Sequence, residues 1–224
     1  LADSIQEAFE SQHIPFLEKL VNQSSYTDVP EDVEAVAVMI DELVDQLGLS
    51  RELFPDPEKR YANHRVYATA ATGSDDRALA LIGHCDTVYP RELGFLEFKR
   101  DQSAKAYGPG VLDMKSGLTV ILFALRAVCQ QAPEIWKDCK LRFILNTEEE
   151  VGSPSSESLF KAMAPKISHA MVFEGGRDGD QIVTSRKGTG GFKIKAIGSS
   201  AHSGNDHADG VNAIHVLALL IPQL

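Results

Sequence analysis

Histidine and carboxylate side chains occur in four short segments, each of which follows an apolar run or a glycine turn. The first segment holds His84 and Asp86, the second Asp113, the third Glu148–Glu150 and the fourth Glu174. Imidazole and carboxylate groups together can bind a divalent cation or exchange protons with a substrate. Taken singly, each has an ordinary structural explanation, such as a turn, a helix N-cap or a solvated acidic loop. Their shared placement relative to the surrounding elements is the more specific observation.

The elements that position these segments are predicted from hydrophobic periodicity. Three short apolar runs bounded by turn residues are typical of buried strands, namely ALALIG at 78–83, KLRFIL at 140–145 and AMVF at 170–173. Helical periodicity is found in three longer segments, residues 4–20, 31–47 and 117–130. A further strand is expected at 65–70. Strands that alternate with helices predict an α/β fold with a mostly parallel sheet and flanking helices.

The carboxyl ends of parallel strands meet at one edge of a sheet, where α/β proteins bind their ligands. His84, Glu148–Glu150 and Glu174 lie at or just beyond predicted strand ends, and Asp113 lies in a loop directly before a helix. We therefore expect one histidine and several carboxylates to converge there. Neighbouring negative charges oppose one another's ionisation, so such a cluster favours a bound cation. Zinc suits these ligands, with manganese or cobalt as alternatives, and two cations about 3.5–4 Å apart form a known hydrolytic arrangement.

Length and composition disfavour several classes of protein. The 224 residues include 32 acidic and 22 basic side chains, a net charge of −10, whereas a nucleic-acid binder would show a basic footprint. No apolar run reaches the roughly 18 residues that span a bilayer, so we expect no membrane partner. Three cysteines without a CxxC pair favour a reducing compartment. We expect a cytoplasmic location, or a periplasmic one if the N-terminus, which begins at Leu1, is processed.

The sequence pattern changes after Gly188. GGFKIKAI at 190–197 alternates with period two, which predicts a strand with one solvated face, and residues 209–220 are expected to form a helix with Asp209 or Asn212 near its start. We expect a domain boundary near Lys187, with a metal-binding domain at 1–187 and the beginning of a smaller α+β domain at 188–224. The second unit is too short to bury a core of its own, so we expect it to be incomplete in this chain.

Five segments resemble the co-catalytic zinc aminoacylase/carboxypeptidase family, which includes aminoacylase, acetylornithine deacetylase, succinyl-diaminopimelate desuccinylase and glutamate carboxypeptidase. The segments are GHCDTVYP (83–90), YGPGVLDMKSGLTVILFAL (107–125), NTEEEVGSPSS (146–156), FEGG (173–176) and SSAHSGNDHADGVNAI (199–214). They follow the family's order, and the similarity is greatest to the glutamate carboxypeptidase-like branch. The fold implied by the resemblance is a zinc-peptidase-like catalytic domain at 1–187, which lacks its C-terminal part here, followed by the beginning of a lid and dimerisation domain at 188–224.

The resemblance implies a set of zinc ligands, which would be His84, Asp113, Glu150 and Glu174. Asp113 would bridge two zinc ions. His84 and Glu174 would complete one site, while Glu150 and a histidine from a C-terminal part of relatives would complete the other. The Asp113–Met114 peptide would be cis. We therefore expect one complete and one incomplete metal site in this chain, and no activity from it alone.

The resemblance also implies catalytic roles. Asp86 would orient His84, and Glu149 would act as general base and acid for attack by a metal-bridging water. His202, in the lid, would reach the site of a second subunit to stabilise an oxyanion, which implies a homodimer formed through the lid domain. Glu148 is expected to be a solvated or supporting acid.

The implied function is that of a di-zinc metallohydrolase, of carboxypeptidase or deacylase type, that cleaves an amide bond of a small peptide or an N-acyl amino acid. An aminopeptidase or dipeptidase with the same metal chemistry is an alternative that requires a site for the substrate amine. A non-catalytic metal-binding relative is a second alternative, against which the intact set of acids argues. A nucleotide-binding domain would need a glycine-rich phosphate loop after the first strand, which neither GHCDTV nor GPGVLD provides.

Overall fold

The structure is a computed structural model that describes residues 2–103, 105–176, 179, 181–188 and 190–223. The chain divides into two compact units, Leu1–Gly179 and Asp180–Leu224. The domain limit at residue 187 and the lid role of the second unit stay predictions. Within the described residues, every helix is too short or too polar to cross a bilayer.

Six helices lie in the first unit: α1 (Ala2–Ala8), α2 (Ile14–Asn22), α3 (Pro30–Gln46), α4 (Ser116–Gln131), α5 (Pro133–Trp136) and α6 (Glu157–Met163). A single π-helical turn, Phe9–His13, joins α1 to α2, so the helix predicted at 4–20 contains a local irregularity. The helix α3 begins with Pro30 at its first position, followed by two acidic residues that favour a helix N-terminus. Gly48, with φ of 69°, supplies the left-handed conformation that ends it.

The main sheet has five strands in the order β1-β2-β6-β3-β7, namely β1 (Ser50–Phe54), β2 (His64–Ala68), β3 (Ala78–His84), β6 (Leu141–Asn146) and β7 (Ile167–Val172). A separate antiparallel pair comprises β4 (Lys99–Arg100) and β5 (Ala106–Tyr107). The strand β3 pairs in parallel with β6 and β7, while β2 pairs antiparallel with β1 and β6. The predicted α/β class is confirmed, with a parallel half that carries the predicted strand ends and an antiparallel half beside it.

The strand register brings the carboxyl ends of the parallel strands to one edge. His84 pairs with Asn146 across β3 and β6, and Ile82 pairs with Val172 across β3 and β7. Consequently the segments that follow β3, β6 and β7 leave the sheet side by side. This is the edge at which the sequence predicts the site.

Apolar residues cover both faces of the sheet. On one face, Leu81 and Phe143 pack into the main core with residues of α3 and α4 such as Ile40 and Leu122. On the other face, a smaller cluster holds Val66 and Ile144 against Leu159 and Met163 of α6. Alternate residues of β6 therefore point into different cores, which explains why every residue of this strand is buried.

The second unit differs from its prediction at residues 190–197, which form no strand. Between Ser199 and Val211 there is a single antiparallel bridge, with N–H···O distances of 3.0 and 2.9 Å. The strand prediction is wrong because alternating side chains define a possible face, whereas a stable strand also needs a paired neighbour. The predicted helix is α7 (Ala213–Leu220), and of the two residues expected near its start it is Asn212 that caps it, because its side chain accepts the His215 N–H at 3.1 Å.

Candidate metal centre

His84 is the most deeply buried of the proposed metal ligands. It is the last residue of β3 and its side chain is only 1% exposed. Its Nε2 atom lies 3.0 Å from Asp113 Oδ1, 3.8 Å from Glu174 Oε1 and 4.0 Å from Glu149 Oε2. Three carboxylates from three different segments therefore surround one imidazole nitrogen.

Asp113 is placed by a tight loop at the start of α4. Gly110 has φ of 71°, a conformation that favours glycine, and its carbonyl accepts the Lys115 N–H at 2.8 Å. Met114 is buried, and its sulfur accepts the backbone N–H of His84 at 3.1 Å. The Asp113–Met114 peptide is cis, as the resemblance implied. The Asp113 side chain is 60% exposed, so it faces both His84 and solvent.

Lys115 fastens the same loop to a helix end. Its side chain is fully buried, and its Nζ donates to the carbonyl oxygens of Leu20 and Gln23 at 2.8 and 2.9 Å, at the end of α2. A positive charge there complements the partial negative charge of a helix C-terminus. Burial lowers the pKa of Lys115 to about 7. This anchor was not predicted from the sequence, although Lys115 lies within the segment 107–125.

Glu149 and Glu150 lie in a short 3₁₀ turn, Glu149–Val151, that follows β6. The turn is closed by the Gly152 N–H, which donates to the Glu149 carbonyl at 2.8 Å. The Glu149 side chain is 48% exposed, whereas Glu150 is half-buried. Adjacent acids thus meet different environments.

Asp86 connects the imidazole with this turn. It is fully buried, and its Oδ1 atom lies 3.3 Å from His84 Nδ1. Its carboxylate also accepts the backbone N–H groups of Glu149 and Glu150, at 3.1 and 3.2 Å. The Thr27 hydroxyl, from the loop between α2 and α3, donates to its Oδ2 at 2.8 Å. One buried carboxylate therefore fixes both the orientation of the imidazole and the main chain of the two glutamates.

Glu174 follows the end of β7, and the backbone just before it packs closely against α4. The Phe173 N–H donates to the Ile82 carbonyl at 3.2 Å, which continues the pairing of β7 with β3. At Gly117 a Cβ atom would collide with the carbonyl oxygen of Phe173, so glycine allows the helix to approach this backbone. The Glu174 side chain is 33% exposed and faces the His84 ring.

The electrostatics of the cluster show a shortage of positive charge. Burial alone would lower the pKa of His84, but the hydrogen bond and charge of Asp86, with the charges of Glu174 and Glu149, raise it to about 9. The pKa of Glu150 is raised to about 7, chiefly by burial and then by Asp113, Asp86 and Glu149 acting against His84. Burial likewise raises the pKa of Glu174, with Asp113 adding to the effect. The protonated His84 ring is therefore the positive charge that these carboxylates share.

These residues fit a divalent cation. Ligand atoms of His84, Asp113 and Glu150 all lie within 4.8 Å of one another, and Glu174 approaches the same imidazole nitrogen. A cation would supply the positive charge that the raised pKa values of Glu150 and Glu174 show to be lacking. Imidazole nitrogen with carboxylate oxygen is a donor set that binds zinc, manganese and cobalt.

His202, the remaining predicted catalytic residue, lies in the second unit. It is exposed, and its Nδ1 atom accepts the backbone N–H groups of Gly204 and Asn205 at 3.2 and 3.0 Å. Because Nδ1 accepts both bonds, the proton of the neutral ring resides on Nε2. The exposed nitrogen is therefore a hydrogen-bond donor. The basic residues Arg186, Lys187, Lys193 and Lys195 are exposed.

Glu148 differs from the solvated acid that is one of its two expected forms, because its side chain is fully buried. His64, for which the sequence offered no functional context, is also buried and lies 4.0 Å from the Glu148 carboxylate. Thr27 is 59 residues from Asp86 in the chain, so no local motif announces their contact. These supporting residues emerge only when distant segments are brought together.

Known proteins with similar sequences are named for amide-bond chemistry. Carboxypeptidase G2 of Pseudomonas sp. strain RS-16 is 29% identical over 204 residues, which cover 90% of this chain and 48% of that protein. Acetylornithine deacetylase of Salmonella arizonae is 32% identical over 178 residues, 76% of this chain and 43% of that protein. The chain spans about half the length of the curated relatives it matches.

Solved structures share the fold. A tripeptidase from Staphylococcus aureus superposes with a TM-score of 0.70 at 19% identity, and an aminopeptidase PepT from Bacillus cereus with a TM-score of 0.66 at 19% identity. Each superposition covers 96% of this chain and 56% of the solved chain. The sequence model of peptidase family M20/M25/M40 matches residues 80–218, the stretch that contains all seven predicted site residues. With this match over more than half of its length, the chain belongs to peptidase family M20/M25/M40.

Proposed function

We propose that the protein is a metal-dependent hydrolase with two co-catalytic cations, most simply zinc, that cleaves an amide bond of a small peptide or N-acyl amino acid. The observation that carries this proposal is the convergence of four carboxylates on the Nε2 side of His84 at the carboxyl edge of a parallel sheet. The names of the relatives, carboxypeptidase and deacetylase, support an amide as the bond that is cleaved.

The proposed ligands fall into two groups that share Asp113. His84, Asp113 and Glu174 would hold one cation, and Asp113 with Glu150 would contribute to the second. The closeness of Asp113 to His84 and its place within 4.8 Å of a Glu150 oxygen support the sharing. Cobalt and manganese accept the same ligands and remain alternatives to zinc.

When bound, such cations polarise the scissile carbonyl and lower the pKa of a coordinated water. Glu149 is the proposed general base, which takes the proton of the attacking water and delivers it to the leaving amine. Its half-exposed carboxylate lies at the rim of the site, 4.0 Å from the His84 Nε2, and its main chain is held by Asp86. The backbone of Glu149 is thus held in place, while its carboxylate group is accessible to water.

His202 is the proposed donor to the oxyanion. Its exposed Nε2–H is left free for this bond because Nδ1 is occupied by two backbone donors. Its proposed action at the site of a second subunit requires a homodimer. Exposed apolar side chains in the second unit, including Phe192, Ile197 and Ile214, support such a pairing. Light scattering of the natural protein measures its mass, and a monomer would exclude this arrangement.

Substitution of Glu149 by Gln tests the proposal in the natural protein that contains this chain. We expect metal content, measured by plasma emission, to stay at the wild-type level, while hydrolysis of N-acyl amino acids and C-terminal glutamate dipeptides falls by at least about 10³-fold. Glu157→Gln, which removes an exposed acid on the following helix, is the control and should retain activity. Near-normal turnover by Glu149→Gln would remove the base assignment, and a metal-free, inactive wild type would refute the proposal as a whole.

A further inference from the structure

Glu148 is a buried carboxylate placed directly before the proposed base and a proposed metal ligand. Its Oε1 atom accepts the Ser156 hydroxyl at 2.6 Å and the Ser156 N–H at 3.2 Å, and its Oε2 atom accepts the Ser155 N–H at 3.0 Å. All three donors belong to the segment that leads into α6. The side chain therefore reaches across the turn that carries Glu149 and Glu150 and holds its far end.

Main-chain hydrogen bonds close the same turn from within. The Ser153 N–H donates to the Glu148 carbonyl at 3.2 Å, and the Gly152 N–H donates to the Glu149 carbonyl at 2.8 Å. At the other end, the Glu148 N–H donates to the Asn146 side chain at 3.1 Å. Residues 146–156 form a loop whose two ends are joined through residue 148, so a shift of this residue moves both neighbouring glutamates.

His64 fastens this loop to β2 as well. The Thr147 hydroxyl gives its only proton to the Ala62 carbonyl at 2.8 Å, so it must accept from His64 Nδ1, which lies 2.9 Å away. Burial lowers the pKa of His64, which favours the neutral ring. A neutral ring protonated on Nδ1 accepts at Nε2, where the Ser155 hydroxyl lies at 2.8 Å. Ser155 therefore donates to His64 through its hydroxyl and to Glu148 through its N–H.

We propose that Glu148 is a positioning residue, which sets the placement of the Glu149 and Glu150 carboxylates through its bonds to Ser155 and Ser156. The inference rests on the proposed function, because it concerns the metal ligand and base assigned there. Asp86 accepts the N–H groups of Glu149 and Glu150, and Glu148 accepts donors from Ser155 and Ser156 beyond the turn, so two buried carboxylates hold the segment at two different points. Groups that orient metal ligands in this way commonly change metal affinity or activity by about 10–100-fold when removed.

The test compares Glu148→Gln with the control Glu157→Gln in the natural protein. Glutamine has the same shape, but three donors converge on the position and one side of the amide is itself a donor, so at least one bond is replaced by a repulsive contact. We expect affinity for Co²⁺, read from its visible absorption, to fall by about 10–100-fold, and kcat to fall similarly with KM within about threefold. Glu157, whose exposed side chain pairs with Lys161 at 2.6 Å, should change neither by more than about twofold.

A purely structural role would lower the unfolding temperature of the metal-free protein without changing the Co²⁺ affinity or kcat of folded molecules. That result would overturn the inference. If Glu148→Gln does not fold, Ser156→Ala removes only the hydroxyl donor, and the inference then requires a smaller loss of Co²⁺ affinity, about 3–10-fold; an unchanged affinity would refute it. A wild-type protein that neither binds Co²⁺ nor hydrolyses amides refutes the proposed function, whereas an active wild type with an equally active Glu148→Gln refutes this inference alone.

Discussion

Addition of a divalent metal should displace protons from His84 and Glu150, because both must lose their protons to act as ligands. Without a cation, the pKa of His84 is about 9 and that of Glu150 about 7. At pH 7 the imidazole is almost fully protonated and the carboxyl about half protonated, so these two groups together should release about 1.5 protons per chain, to which any proton held by Glu174, whose pKa is also raised, adds. The same arithmetic gives about 1.9 protons at pH 6 and about 1.0 at pH 8.

Calorimetric titration with Zn²⁺ or Co²⁺ in non-chelating buffers of different ionisation enthalpy measures this number directly. Since protons compete with the metal for both groups, apparent affinity should rise as pH increases from 6 to 8. In a Glu150→Gln variant the release at pH 7 should fall by about 0.5 proton, because the contribution of Glu150 is lost while those of His84 and Glu174 remain. A wild-type proton release of zero, or one that does not decline with pH, would refute the assignment of this pair as ligands.

Two substitutions probe the supports of the site. Asp86→Asn should weaken metal binding by about 10–100-fold, because an amide nitrogen would face a donor N–H of the turn or of His84; wild-type affinity in a chelator competition would contradict this role. Gly117→Ala should lower the free energy of unfolding by about 1–3 kcal/mol in urea titrations and weaken metal binding, because its methyl group would collide with the Phe173 backbone that leads to Glu174. Gly176→Ala, which meets no neighbouring atom, is the control, and an equal loss there would reject the steric explanation.

The sequence predicted the parts of the fold whose signal is local. The strands β3 and β6 are mostly apolar, and α3 shows a regular helical period between clear start and stop residues. The strand β1, with the polar sequence SRELF, was missed because it is exposed along almost its whole length and gains its conformation by pairing with β2. The converse error occurred at 190–197, where an alternating pattern exists without a paired strand.

In the candidate site too, some features have a signal in the sequence, whereas others depend on contacts between distant segments. His84, Glu150 and Glu174 were placed together because parallel strand ends share one edge, a consequence of topology that sequence order reveals, while Asp113 was expected to join them from a loop before a helix. The support from Thr27 depends on a contact between a loop near the N-terminus and Asp86, which no periodicity encodes. The sequence left Glu148 as either a solvated or a supporting acid, since a run of three acids is more often solvated and only the fold turns its first member inward.

The proposed division of roles between Glu149 and Glu150 has a physical basis in the geometry of their turn. Both backbone N–H groups point to the Asp86 carboxylate, so the main chain of the two residues is fixed as one unit. The tight turn then directs the two side chains into different surroundings. Glu150 enters the half-buried space beside Asp113 and His84, where its pKa is raised and a cation would draw it into coordination, while Glu149 keeps a carboxylate that water can reach. Adjacent identical residues can therefore serve as ligand and base because a buried aspartate holds their backbone and the fold supplies two environments.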